Sequence, residues 1–180
     1  MAKFSGRVFF SFLPTIILLN SLIISPALAG RYVLDQSPNT IMKYLGKPLS
    51  MTVKNNTLTY TYSPPKFKKI FSQYSKANFS VEFVNQKVKE ITIKFNGDFW
   101  EYPEYNFVQS TAAKFFQYIF GYEPPEWREL SSKFTGNETI YEHQYCLGDG
   151  VAVSFITYGY KQVTDDATFY YNPACEPQKN

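Results

Sequence analysis

His143 is the only histidine in the chain, so any Ser–His–acid or Cys–His chemistry would have to be built around it. The nucleophile elbow Gly-x-Ser-x-Gly is absent, and without that strand-to-helix turn no serine stands out as activated. His143 lies within Ile140 to Tyr145, a stretch of strand character, where a histidine reads as part of a sheet face or an interface. Four acids, Glu101, Glu104, Glu123 and Glu126, stand among Trp100, Tyr102, Tyr105 and Trp127. Acids and rings in one cleft can bind and cleave sugars, and the same residues equally line a protein contact or cap a helix. One His and two Cys do not make the usual zinc sets. Asp149-Gly150 and Asp165-Asp166 lack the spaced oxygen ligands of a calcium loop, and no glycine-rich nucleotide fingerprint occurs. The sequence therefore assigns no catalytic residue, no metal and no cofactor.

The two cysteines are Cys146 and Cys175. In an oxidising compartment an even pair implies a disulfide; the alternative is two separate buried thiols. Closing the intervening loop would contribute roughly 3–4 kcal/mol on the chain-entropy account.

Export is the firmest reading. Lys3 and Arg7 give a positive start, Val8 to Ile24 an apolar run, and Ala27-Leu28-Ala29 the small side chains at a cleavage site. That order marks residues 1–29 as a signal peptide and places the rest in the periplasm or outside the cell. A retained anchor is the competing reading, against which Pro14 interrupts the run. No later stretch is long and apolar enough to span a bilayer. With Lys3 and Arg7 removed, sixteen basic side chains face fifteen acidic ones. Nucleic-acid binding needs a concentrated basic face, and the one cluster, Lys66, Lys68, Lys69 and Lys76, reads as solvated surface. Asn55, Asn78 and Asn137 are N-glycosylation sequences, relevant only to a eukaryotic secretory route.

The elements must then position a strongly aromatic chain of fifteen Tyr, seventeen Phe and two Trp. Val81 to Thr92 and Val153 to Thr164 share Val, Phe, Lys and Thr in register, and both read as β-hairpins. Asn85-Gln86 marks the first turn and Tyr158-Gly159 the second. Ser37-Pro38 begins a helix with Ile41, Met42 and Leu45 inward, and Gly46 and Pro48 end it. Ser110 or Thr111 begins another, with Phe115, Phe116, Ile119 and Phe120 inward and Gly121 and Pro124-Pro125 at its end. Met51 to Val53, a turn at Asn55-Asn56, and Thr57 to Tyr62 read as paired strands. So do Leu130 to Phe134 and Glu138 to Cys146, with a bulge or outward aromatics.

These patterns predict an α+β fold: a tandem repeat of a helix followed by an antiparallel β-meander. The first repeat covers 30–98, an aromatic connection 99–108, and the second repeat 109–180. The two copies are expected to pack together or to share one sheet.

Ser37 to Pro48, with its Leu45-Gly46-Lys47-Pro48 ending and the following Thr59-Tyr60-Thr61-Tyr62, resembles the small exported domain of the SmpA/OmlA (BamE-like) group. Used twice, the layout is similar to the beta-lactamase inhibitor protein group. The resemblance implies a non-enzymatic exported scaffold that holds another exported or envelope protein with a sheet face. BamE-like proteins are typically lipoproteins, and here no Cys stands at the cleavage site. The contact residues expected are Tyr60, Tyr62, Trp100, Trp127, Tyr141, His143 and Tyr145. The alternatives are a small-ligand or lipid carrier with an enclosed apolar cavity, and an inhibitor of an exported enzyme.

Overall fold

The structure, a computed structural model, describes residues 33–74, 76–95, 106–134, 140–158 and 166–177. The signal segment, Trp100 and Gly159 lie outside the described residues. Helix α1 is Pro38–Leu45. Strands β1 Ser50–Lys54 and β2 Thr57–Tyr62 follow, then α2 Pro65–Ile70, β3 Asn78–Val84 and β4 Lys87–Lys94. Helix α3 spans Asn106–Phe120. It precedes β5 Arg128–Phe134, β6 Ile140–Gly148, β7 Val151–Tyr158, β8 Asp166–Tyr171 and a 3-10 turn at Pro173–Cys175.

The expected tandem repeat is not what the chain forms. Of the two arrangements expected, the shared sheet is present, but as one continuous unit: all eight described strands belong to one antiparallel sheet in the order β1-β2-β3-β4-β8-β7-β6-β5. β4 pairs directly with β8, with Ile91 opposite Phe169 and Thr92 opposite Thr168. Among the described residues the helices do not repeat: two short ones flank β1 and β2, and one of fifteen residues precedes β5. The physical reason is the edge problem. Two separate four-stranded sheets would leave four unpaired edges; joining β4 to β8 satisfies two of them and merges the cores.

Local chemistry accounts for the elements. Ser37 caps α1, its Oγ accepting from the Thr40 N–H at 3.3 Å, and Gly46 ends the helix at φ +85°. Asn55 and Asn56 (φ +48°, +62°) and Asn85 and Gln86 (φ +51°, +61°) form two-residue hairpin turns, whose left-handed backbone matches strand twist. Helix α3 begins earlier than Ser110, at Asn106. Helix α2 is an element the sequence reading passed over: Pro65 opens it, and Phe67 and Phe71 turn inward four residues apart. Its lysines are the solvated side of an amphipathic turn.

The helices cover one face of the sheet. Phe67 of α2 and Phe115 of α3 both pack on Phe79 of β3, with ring centroids 5.1 and 5.5 Å apart. Phe115 also reaches Phe169 of β8 at 5.2 Å. One helix thus spans the seam between the two halves. Tyr44 of α1 donates to the Ile119 carbonyl of α3 at 3.0 Å.

The opposite face carries a row of small polar side chains through every strand: Ser50, Thr61, Ser80, Thr92, Thr168, Ser154, Gln144 and Ser131. At the seam the Thr92 and Thr168 hydroxyls hydrogen-bond at 2.9 Å. A second, smaller cluster lies on this face. Cys146 and Cys175 form a buried disulfide with Cα atoms 5.2 Å apart, packed with Ala152, Leu130 and Tyr170. The bond ties the C-terminal turn to β6. Gly150 N–H donates to the Cys175 carbonyl, and Asn172 N–H to the Gly150 carbonyl. Gly148 must be glycine on two counts: its φ is +92°, and a Cβ there would meet Pro125 Cγ at 2.4 Å.

Candidate functional site

Six rings form a continuous row over β5, β6, β7 and the approach to β5. Trp127 stacks on Tyr145 with centroids 5.3 Å apart, and Tyr145 on Phe155 at 5.9 Å and 10°. Phe155 stacks on His143 at 5.2 Å, His143 on Tyr141 at 6.3 Å, and Tyr141 meets Phe134 at 5.5 Å. Strand alternation places Tyr141, His143 and Tyr145 on one face, and the register sets Phe155 opposite His143 and Phe134 opposite Tyr141. It is the same face that the helices cover further along the sheet.

The row grades from core to solvent. Tyr145 and Phe155 are buried, Trp127 and His143 half-buried, and Tyr141 and Phe134 are 41% and 51% exposed. Bulges frame it: one in β5 between Glu129 and Ser131, and one in β6 between Cys146 and Gly148.

Both ring nitrogens of His143 meet hydroxyls on neighbouring strands. Nδ1 is 3.3 Å from Ser132 Oγ, and Nε2 is 3.1 Å from Thr157 Oγ1. Neutral imidazole has one donor and one acceptor nitrogen, so a hydroxyl on either side can satisfy it. Burial holds the imidazole below its usual range, and the nearby Glu129 charge pulls in the other direction. The groups that hydrogen-bond the ring here are two hydroxyls. That arrangement fixes the ring plane for stacking.

The structure divides the expected contact residues. Tyr141 and His143 lie together with Tyr145 and Trp127 in the row. Tyr60 and Tyr62 do not join them: they are core residues of β2, 5% and 1% exposed. Tyr60 packs on Phe83 and Tyr62 stacks on Phe79. The expectation that Tyr60 and Tyr62 serve as contact residues is therefore corrected. α2, absent from the sequence reading, brings Phe67 against Phe79 and closes that part of the sheet. Tyr62 is buried so completely that its hydroxyl is pushed up to about 12 by desolvation, and by neighbouring Tyr60.

Phe134 and Phe155 are row members that sequence reasoning missed. The signal for Phe155 was its parity with Val153 in a recognised strand. For Phe134 no sequence signal sets the register in which it pairs with Tyr141.

Two recesses open beside other elements. One of about 310 Å³ is bordered by Glu126, Arg128, Asp149 and Glu176 among others. The other, about 520 Å³, is bordered by Leu34, Asp35, Val88 and Tyr171. Charged side chains stand at the rim of the first, and Asp35 stands beside apolar side chains at the second. In the first, Arg128 donates to the Ala174 carbonyl at 2.9 Å and Tyr122 to Asp149 at 2.8 Å, contacts that hold the C-terminal turn. No group of described side chains is arranged to hold a metal ion. No described helix is long and apolar enough to cross a membrane.

Comparison with known proteins returns only distant likeness. No family model matches the chain, and no curated protein matches it. A solved cysteine-rich secretory protein from Staphylococcus aureus is 7% identical, with a TM-score of 0.38 over 83% of this chain and 52% of its own. An extracellular protein containing a SCP domain, from Bacillus anthracis, is 8% identical, with a TM-score of 0.40 over 95% of this chain and 50% of its own. The chain thus spans about half the length of these structures.

Proposed function

We propose that this chain is an exported, non-catalytic binding protein that holds another exported or envelope protein against the open end of its aromatic row. The observation that carries this reading is the gradient itself. A stack of rings anchored by buried Tyr145 and Phe155 ends in the exposed pair Phe134 and Tyr141. Rings already fixed by stacking lose little side-chain freedom when a partner covers them, and Tyr adds a polar tip to its apolar area. The pairing of His143 with two hydroxyls supports a positioning use for that residue over proton transfer. Export is supported by the signal-like N-terminal sequence and by the Cys146–Cys175 disulfide, which belongs to an oxidising compartment.

The test is affinity capture from the native envelope or secreted fraction, with Phe134→Ala/Tyr141→Ala beside the natural chain. A partner held by the natural chain and lost by the double variant, with the variant's melting curve intact, bears the reading out. Undiminished capture by a folded variant removes the row from the contact surface.

A further inference from the structure

The two edges of the sheet are built differently. β5 carries the protections expected of an edge that must stay free: Arg128, Glu129 and Lys133 along its length, and a bulge between Glu129 and Ser131. β1 carries fewer: Lys54 at its end is its one charged residue, and its register on β2 is unbroken. All five residues, Ser50 to Lys54, are exposed. Met51 and Val53, on one face, are 58% and 75% exposed, and Leu49 just before them 70%.

Hairpin geometry says which backbone groups are free. The two-residue turn at Asn55-Asn56 makes Lys54 and Thr57 a hydrogen-bonded pair, and with them Thr52–Thr59 and Ser50–Thr61. The N–H and C=O groups of Met51 and Val53 therefore point away from β2, along the open edge. The strand also reads alike in both directions about Thr52: polar, apolar, Thr, apolar, polar. Turned antiparallel on a copy of itself, it sets Met51 opposite Val53 twice, Thr52 opposite Thr52, and Ser50 opposite Lys54. The two Met51–Val53 pairs are then the ones whose backbone groups face each other.

We infer that β1 is a self-association edge, joining two copies of this chain about a two-fold axis at Thr52 into one continuous sheet. A strand of five residues covers far less surface than a stable obligate dimer needs, so the dimer is weak and reversible. This inference concerns a surface separate from the aromatic row and does not depend on the function proposed for it.

The test is sedimentation velocity of the purified protein from roughly 10 μM to 1 mM, together with a directed crosslink. The natural chain dimerises across that range. Met51→Lys/Val53→Lys, which sets like charges opposite one another, weakens association roughly ten-fold or more with an unchanged melting curve. Thr52→Cys oxidises to a covalent dimer, because residues at a non-hydrogen-bonded antiparallel pair stand about 4.5 Å apart, within disulfide range. Lys133→Cys on β5 does not. A natural chain that stays monomeric throughout overturns the inference. So does a dimer that the paired lysines leave intact, or equal crosslinking from the two cysteines. Loss of a captured foreign partner by the lysine variant of a monomeric chain would assign the edge to another protein's strand, and overturn it equally.

Discussion

His143 and Phe155 lie face to face on adjacent strands, with ring centroids 5.2 Å apart and planes 26° from parallel. The stack holds the imidazole between core and surface, and Ser132 and Thr157 take its two nitrogens. A charged imidazolium is disfavoured there because part of its hydration is gone.

Acid should therefore destabilise the fold through this residue. The folded imidazole binds its proton at a lower pH than the unfolded one, whose value is about 6.5. Between those two values the unfolded chain holds more protons, so stability falls as pH drops through 6.5 toward the folded value. Above 6.5 the contribution is complete. Urea unfolding from pH 7.5 to 5 should show a shallower decline in His143→Phe, which keeps a ring in the row and cannot titrate. Equal slopes in the two proteins would remove His143 as the source.

Tyr62 makes a second prediction. Its hydroxyl is buried and meets no hydrogen-bond partner among the described residues. Leaving a buried hydroxyl unpaired costs about 1–3 kcal/mol, so Tyr62→Phe should leave stability unchanged or raise it by about 1 kcal/mol. Thermal melts and denaturant midpoints check this. A loss of 2 kcal/mol or so would mean that the hydroxyl is satisfied.

The row and the core should separate cleanly under truncation. Phe115 bridges Phe79 and Phe169 across the seam of the two halves. Phe115→Ala is expected to cost about 3–5 kcal/mol, through lost burial and the space left behind. Phe134→Ala, at the exposed end of the row, should cost under about 1 kcal/mol. Comparable losses would mean that Phe134 is structural and would weaken its assignment as contact surface.

The disulfide should matter most to the C-terminal turn. Cys146→Ala/Cys175→Ala is expected to lower unfolding free energy by about 2–4 kcal/mol. Hydrogen exchange should rise first at Gly150 and Asn172, whose N–H groups bond the turn and its return strand. Uniform exchange across the sheet would show that the turn is held without the bond.

Much of the local structure was legible in the residues. Ser37-Pro38 and Gly46 bound α1 because a cap hydroxyl, a preset φ and a left-handed terminus are short-range requirements. Asn55-Asn56 and Asn85-Gln86 announce two-residue turns for the same reason. Cys146 and Cys175, as the only pair, were paired in advance. α2 was hidden by its lysines: three charges after two prolines look like a loop unless the Phe67–Phe71 spacing is weighed.

Alternation along Leu58, Tyr60 and Tyr62, or along Tyr141, His143 and Tyr145, determines which residues share a face. Composition and hairpin spacing likewise determined a largely antiparallel, aromatic chain with a leader-like start. Which part of a face is covered was decided only by tertiary structure, because it depends on where helices distant in sequence come to rest. Phe67 and Phe115 pack on Phe79, the ring on which Tyr62 stacks, and Tyr141 stays open. The pairing of β4 with β8 was decided at the same level. Edge-to-edge hydrogen bonding joins strands far apart in the chain, and no local pattern in either one encodes its partner.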